Sequence, residues 1–149
     1  MSSIGVKVLV YDKYVNGFSK EGIFESNMEE IFKESNVISF HVPLTTETRY
    51  IADYQFFKRF VKPVWVLNIS RGKVLKTKDL IRGLNEGFIR GAALDVLDEE
   101  SKSFDMSSPN RIVIDLNNRS NVIITPHVAG WTQESYFKLS NVLADKILE

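Results

Sequence analysis

Cysteine is absent from the 149 residues, which excludes disulfides, thiolate nucleophiles and cysteine-based metal sites and suits a reducing compartment such as the cytoplasm. An excess of one charge is absent too. Nineteen basic and 19 acidic residues give a formal net charge of zero, so neither a nucleic-acid footprint nor an affinity for an anionic membrane surface is expected. No apolar run reaches the ~18 residues that cross a bilayer, and the opening MSSIGVKVLVYD lacks the apolar stretch of a secretory signal. Glycine is sparse at 8 residues, none of them arranged as G-x-G-x-x-G. What remains is 44% hydrophobic and 26% charged with no low-complexity tract, the profile of one soluble folded unit. Surface scaling gives roughly 7,800 Å² for a compact chain of this mass against roughly 25,000 Å² extended, enough burial for a core without staples.

Apolar runs and amphipathic stretches alternate. Val6–Tyr11 reads as a strand buried on both faces, and Asn27 with Glu30 three residues later opens a short helix to Ser35. Asn36–His41 is a second strand closed by Pro43, and a helix over Asp53–Phe60 stops ahead of Pro63. Val64–Asn68 is the third strand, Thr77 caps a helix through Glu86, and Gly87 ends it. The fourth strand lies in Phe88–Val96, most securely Ala92–Val96. Leu97–Ser120 reads as an irregular excursion, interrupted by apolar Ile112–Ile114. Val122–Thr125 is the fifth strand, and Thr132 caps a last helix with Tyr136, Leu139, Leu143 and Ile147 on one face. This pattern predicts an α/β domain with a doubly wound parallel sheet covered on both faces, whose ligands bind at the carboxyl ends of the strands.

Ionisable groups recur at those ends. Asp12 can accept two hydrogen bonds from a ribose diol, or simply start a turn. Arg71, between Ser70 and Gly72, can grip a carboxylate with two parallel hydrogen bonds, or lie solvated on its loop. His127, fixed by Pro126 and followed by Gly130, is suited to move a proton near neutral pH, or is a packed strand-end histidine. Glu100, five residues past Asp95, is placed to reach that imidazole and favour its charged form, although Glu99-Glu100 also reads as a solvated loop. His41 reads as structural, while Val42 and Pro43 beside it could line an adenine pocket.

The motifs VLVYD, NVISFHVPLTTET, VLNISRGKV, GAALDVLDEE and NVIITPHVAGWT together resemble the nucleotide-binding domain of the D-isomer-specific 2-hydroxyacid dehydrogenases, in the family's order and over nearly the whole chain. The resemblance implies a Rossmann-like fold, NAD as cofactor and a small 2-hydroxy or 2-keto acid as substrate. It implies a catalytic trio in which Arg71 binds the substrate carboxylate and polarises its carbonyl, His127 exchanges the proton, and Glu100 holds the imidazole charged. It assigns Asp12 to the adenosine ribose, favouring NAD over NADP, and Asp95 to the nicotinamide amide. Val42, Pro43, Ile69, Ser70, Arg71 and His127 to Gly130 would line the cofactor cleft.

The departures set further expectations. The family's strand, glycine-rich turn and helix precede the ribose acid by about 20 residues, but only 11 residues precede Asp12. Residues 1–149 are therefore expected to form a partial NAD-binding domain, truncated at its N-terminal side and lacking the substrate domain. Ser101 stands where family members often carry proline, which loosens the placement of Glu100. In the 3-2-1-4-5-6 strand order the missing strand is central, so its neighbours would be left with open edges. The chain would then be a fragment of a longer enzyme, inactive alone, or would close its edges by pairing them with each other or with a second copy, with a homodimer expected. The competing reading is a non-catalytic scaffold or self-associating interaction module on the same fold. The three catalytic residues together favour the enzyme, and the identity of the 2-hydroxy acid is not encoded here.

Overall fold

The computed structural model describes residues 5–98 and 111–148. In chain order it runs β1 (Val8–Val10), β2 (Ile23–Glu25), α1 (Met28–Glu34), β3 (Val37–Phe40), α2 (Tyr54–Lys58), β4 (Val64–Asn68), a 3₁₀ turn (Gly72–Val74), α3 (Thr77–Glu86), β5 (Ile89–Leu94), α4 (Arg111–Asn117), β6 (Val122–Ile124) and α5 (Gln133–Leu148). Every strand pair is parallel. The strands form two sheets, β1-β2 and β3-β4-β5-β6. Among the described residues β1 and β3 do not pair, so the two edges expected to flank a missing central strand are both open.

Local signals account for most boundaries. The Asn27 side chain accepts the Glu30 amide at 2.9 Å, while the Glu30 carboxylate turns to Ser26 Oγ instead of completing the reciprocal cap. Asp53 caps α2 through the Phe56 amide, and α2 is shorter than Asp53–Phe60 because Arg59 and Phe60 already leave the helix. Gly87 ends α3 at φ +81°, a conformation glycine adopts without a Cβ penalty.

Four expectations are corrected. Ile23–Glu25 is a sixth strand, too short and too polar to stand out by periodicity. Thr77 is the first residue of α3, not its cap: Lys76 holds the cap position, and Thr77 gives its amide and hydroxyl to the Asp98 carboxylate. Part of the stretch expected to be irregular is α4, whose Leu116 is fully buried. Among the described residues the four-stranded sheet is well covered on one face only. Phe40, Val64, Val66, Ala92 and Leu94 face a core closed by α1, α2 and α3, with Phe32, Phe56 and Phe60 packed edge to face at 5.0–5.7 Å.

Strand alternation carries Val37, Trp65, Leu67, Ala93 and Ile123 to the opposite face, where Trp65 remains 42% and Ile123 66% exposed. The apolar residues of α5, Tyr136, Leu139, Leu143 and Ile147 among them, are exposed as well. These two surfaces belong to a chain exposing 10376 Å² in all, against the roughly 7,800 Å² of a compact chain of this size.

Candidate functional site

The carboxyl ends of β4, β5 and β6 are consecutive. Asn68 pairs with Leu94 and Leu94 with Ile124, and beyond the ladder the Asp95 amide donates to Asn68 O and the Thr125 amide to Leu94 O. The turns that follow these strands carry Arg71, Asp95 and His127 along one rim. Strands lie about 4.8 Å apart, so the β4 and β6 ends, two strands apart, stand about 10 Å from each other.

Each turn is held by a buried polar side chain. Asn68 is fully buried; its Oδ1 accepts the Ser70 amide at 3.1 Å and the Ser70 hydroxyl at 2.9 Å, and its Nδ2 donates to Arg71 O at 3.2 Å. Arg71 itself is exposed, with Nη1 donating to Ser70 O at 2.8 Å, which leaves further guanidinium N–H groups directed to solvent. Gly72 is obligatory here: a Cβ would come within 1.8 Å of Leu97 O, so the Arg71 turn lies directly on the segment leaving β5.

Asp95 performs the same task for His127. It is 4% exposed; Oδ1 accepts the Thr125 hydroxyl at 2.5 Å and the Val128 amide at 2.9 Å, and Oδ2 accepts the Ala129 amide at 2.9 Å. Burial alone would raise this carboxyl's pKa, but the Thr125 hydroxyl, the Ala129 and Val128 amides and the neighbouring His127 outweigh it, holding the pKa below its ordinary value. The His127 amide donates to Asp95 O and Thr125 O, and the residue sits at φ +57°, a left-handed conformation that a side chain adopts at a cost of order 1–3 kcal/mol. Asp95 thus anchors the turn with both oxygens, and Oδ2 keeps one lone pair for a ligand.

The remaining residues lie on neighbouring loops. Asp12 follows β1 and its Oδ1 accepts the Tyr14 and Val15 amides at 2.8 and 3.0 Å, so it does start a turn, with Oδ2 left to the solvent side. His41 Nε2 and Ser39 Oγ are hydrogen-bonded at 2.8 Å, Val42 packs against the core and Pro43 is exposed. Ile69 is exposed beside Ser70. A Cβ on Gly130 would meet nothing within 4 Å among the described residues. Glu100, and Ser101 beside it, lie outside the described residues.

Asn68 and Thr125 were not singled out by sequence reasoning. The signal for Asn68 was an amide ending an otherwise apolar run, VWVLN, where a fully buried polar group must have partners. No group of three metal-ligating side chains occurs among the described residues, and no helix there is long and apolar enough to cross a membrane.

Comparison with known proteins fits this geometry. The family model of the D-isomer specific 2-hydroxyacid dehydrogenase NAD binding domain matches residues 1–129. A D-lactate dehydrogenase of Lactiplantibacillus plantarum is 32% identical over 144 residues, 93% of this chain and 43% of that protein. A D-lactate/D-glycerate dehydrogenase of Pediococcus acidilactici is 32% identical over 95% of this chain and 44% of its own length. The NAD-complexed D-isomer specific 2-hydroxyacid dehydrogenase of Lactobacillus delbrueckii ssp. bulgaricus superimposes with a TM-score of 0.88 at 30% identity, covering 99% of this chain and 48% of that one. The chain therefore spans less than half the length of these relatives. It belongs to the D-isomer specific 2-hydroxyacid dehydrogenase family, of which it carries the NAD binding domain, and NAD is the cofactor of that domain.

Proposed function

We propose that this chain is the nucleotide-binding part of a longer cytoplasmic oxidoreductase that interconverts small D-2-hydroxy acids and 2-keto acids. The observation that carries this reading is the rim of β4, β5 and β6, where the turns that bear Arg71 and the Asp95-anchored His127 follow neighbouring strand ends. The residues present fit the two ends of the cofactor: Asp12 Oδ2 for the adenosine ribose, Val42 and Pro43 beside the adenine, and Ile69, Ser70 and the remaining Asp95 lone pair for the nicotinamide amide. The pyrophosphate has no G-x-G-x-x-G turn among the 149 residues. When bound, NAD supplies or accepts the hydride.

The chain's own residues do the rest. Arg71 forks the substrate carboxylate and draws electron density from the adjacent carbonyl. His127 gives a proton to the alkoxide oxygen in reduction and removes it in oxidation, its ring kept on station by the Asp95 turn. Glu100 partners the imidazole. The open edges of β1 and β3, the bare sheet face around Trp65 and the exposed face of α5 support the fragment reading, because all-parallel sheets are ordinarily covered on both faces. Alone, such a chain self-associates through these surfaces, as a homodimer in the simplest case.

The test is complementation. By calorimetry, the 149-residue chain is expected to lack micromolar NAD affinity and to reduce no 2-keto acid. Fused behind the strand, glycine-rich turn and helix with which the family opens this domain, it gains micromolar affinity. His127→Asn in that fusion preserves binding, because asparagine tolerates the left-handed conformation. Micromolar affinity in the unfused chain refutes the fragment reading. A substrate domain then added to the fusion restores turnover in the parent sequence but not in the His127→Asn variant; equal turnover refutes the proton-transfer role.

A further inference from the structure

The loops after β1 and β3 meet in a clasp that the cofactor assignment leaves unexplained. Lys13 Nζ and Tyr14 OH both donate to Glu47 Oε2, at 2.8 and 2.7 Å, from positions 34 and 33 residues away in the chain. The hydrogen bond from Lys13, then that from Tyr14, lowers the Glu47 pKa, and their bonds to Glu47 raise those of Lys13 and Tyr14. Lys13 directly follows Asp12, and the Asx turn of Asp12 through the Tyr14 and Val15 amides fixes the path of the backbone between them.

A lysine beside the ribose acid has an obvious alternative partner. An ammonium on a four-carbon stem is a compact phosphate-binding charge, and next to Asp12 it would offset the repulsion by which that carboxylate refuses a 2′-phosphate. In the structure the ammonium is instead turned across to the β3 loop, where a carboxylate neutralises it. The side chain of Tyr14 shares the same oxygen, which holds Glu47 in place from a second direction.

We propose that Glu47 is a specificity-determining positioning residue: by retaining the Lys13 ammonium in the clasp, it denies a 2′-phosphate the cation adjacent to Asp12 and so enforces the choice of a nucleotide with a free ribose diol. The proposal rests on the assignment of Asp12 to the adenosine ribose. Glu47 touches neither nucleotide nor substrate in this account; it acts through Lys13.

The test is nuclear magnetic resonance titration of the fusion described above with adenosine 5′-monophosphate and with adenosine 2′,5′-bisphosphate, which reads weak binding without turnover. The parent fusion prefers the monophosphate. Glu47→Gln moves the affinity ratio toward the bisphosphate by about threefold, as expected for a released exposed ion pair. Lys13→Gln added to Glu47→Gln removes that gain. Independently of any nucleotide, the Tyr14 phenol titrates lower in Glu47→Gln, closer to its ordinary value of 10.0. A Tyr14 titration unchanged by Glu47→Gln overturns the clasp, and an unchanged affinity ratio overturns its role in specificity; both leave the ribose assignment standing. Absence of binding by either nucleotide to the parent fusion overturns the ribose assignment and this proposal with it.

Discussion

Replacement of Asp95 by asparagine is the sharpest perturbation of the site, because it exchanges one oxygen for an NH₂ group and changes little else. If the asparagine carbonyl takes the place of Oδ1, it still accepts the Thr125 hydroxyl and the Val128 amide, though without charge. The new NH₂ then faces the Ala129 amide, donor against donor, where Oδ2 had accepted at 2.9 Å. One bond to a charged acceptor is lost and two are weakened; at ~1.5–3 kcal/mol for charged bonds and ~1 for neutral ones, the turn is destabilised by about 3 kcal/mol. Hydrogen exchange read residue by residue is the assay. About 3 kcal/mol corresponds to a more than hundredfold acceleration at Ala129, while Val128 keeps most of its protection.

The acid response supplies the second arm. The Asp95 carboxyl in the folded chain is held below its ordinary value of 3.8. Its contribution is therefore fully present above that ordinary value and is lost as pH falls through the lower folded value. The gap between parent and variant should be constant near neutrality and shrink only in acid below about pH 4. Equal Ala129 exchange in the two chains at neutral pH, or a gap that persists unchanged into strong acid, would refute the reasoning.

Two other sites give independent checks. Gly72→Ala places a Cβ within 1.8 Å of Leu97 O, a backbone atom that cannot rotate away, so it should cost about 3 kcal/mol, at the upper end of overpacking, and lower the urea midpoint. Because Asp98 follows Leu97, the same variant should speed exchange of the Thr77 amide that Asp98 accepts. Asn68→Ala leaves the Ser70 amide and hydroxyl and the Arg71 carbonyl without their buried partner. A loss of roughly 2–3 kcal/mol and an exposed Ser70 amide are expected; a stability equal to that of the parent would show that water replaces the side chain at no cost.

The strand–helix alternation was legible because each of β3, β4 and β5 is an apolar run bounded by polar residues, and the caps at Asn27, Asp53 and Gly87 are local hydrogen-bonding or φ effects. β2 was not legible: Ile23–Glu25 is three residues long and takes its strand geometry from pairing with β1, a tertiary cause. Thr77 misled for a similar reason, since its hydroxyl is claimed by Asp98, 21 residues away, before it can serve the helix. The positions of Arg71 and His127 just beyond strand ends were legible, and the placement of both turns on one rim follows from the β4-β5-β6 register. Thr125 was harder to see, because its partner Asp95 lies 30 residues away at the end of β5, whereas Asn68 acts locally on Ser70 and Arg71.

Under the proposed assignment of its residues, the geometry divides the cofactor cleft into unequal halves. The nicotinamide and substrate side is built wholly within the four-stranded sheet: ladder bonds fix β4 to β5 and β5 to β6, and buried Asn68 and Asp95 fix the turns, so its shape does not depend on anything that joins the two sheets. The adenosine side is built across the division. Asp12 follows β1 in the two-stranded sheet, Val42 and Pro43 follow β3 in the other, and the hydrogen bonds joining these two loops are those of Lys13 and Tyr14 with Glu47, all solvent-exposed and hence weak. A central strand between β1 and β3 would add two ladders of backbone hydrogen bonds to that exposed clasp. The proton-transfer and carboxylate-binding geometry is thus a property of β4, β5 and β6, whereas nucleotide affinity depends on whatever fills the open lane.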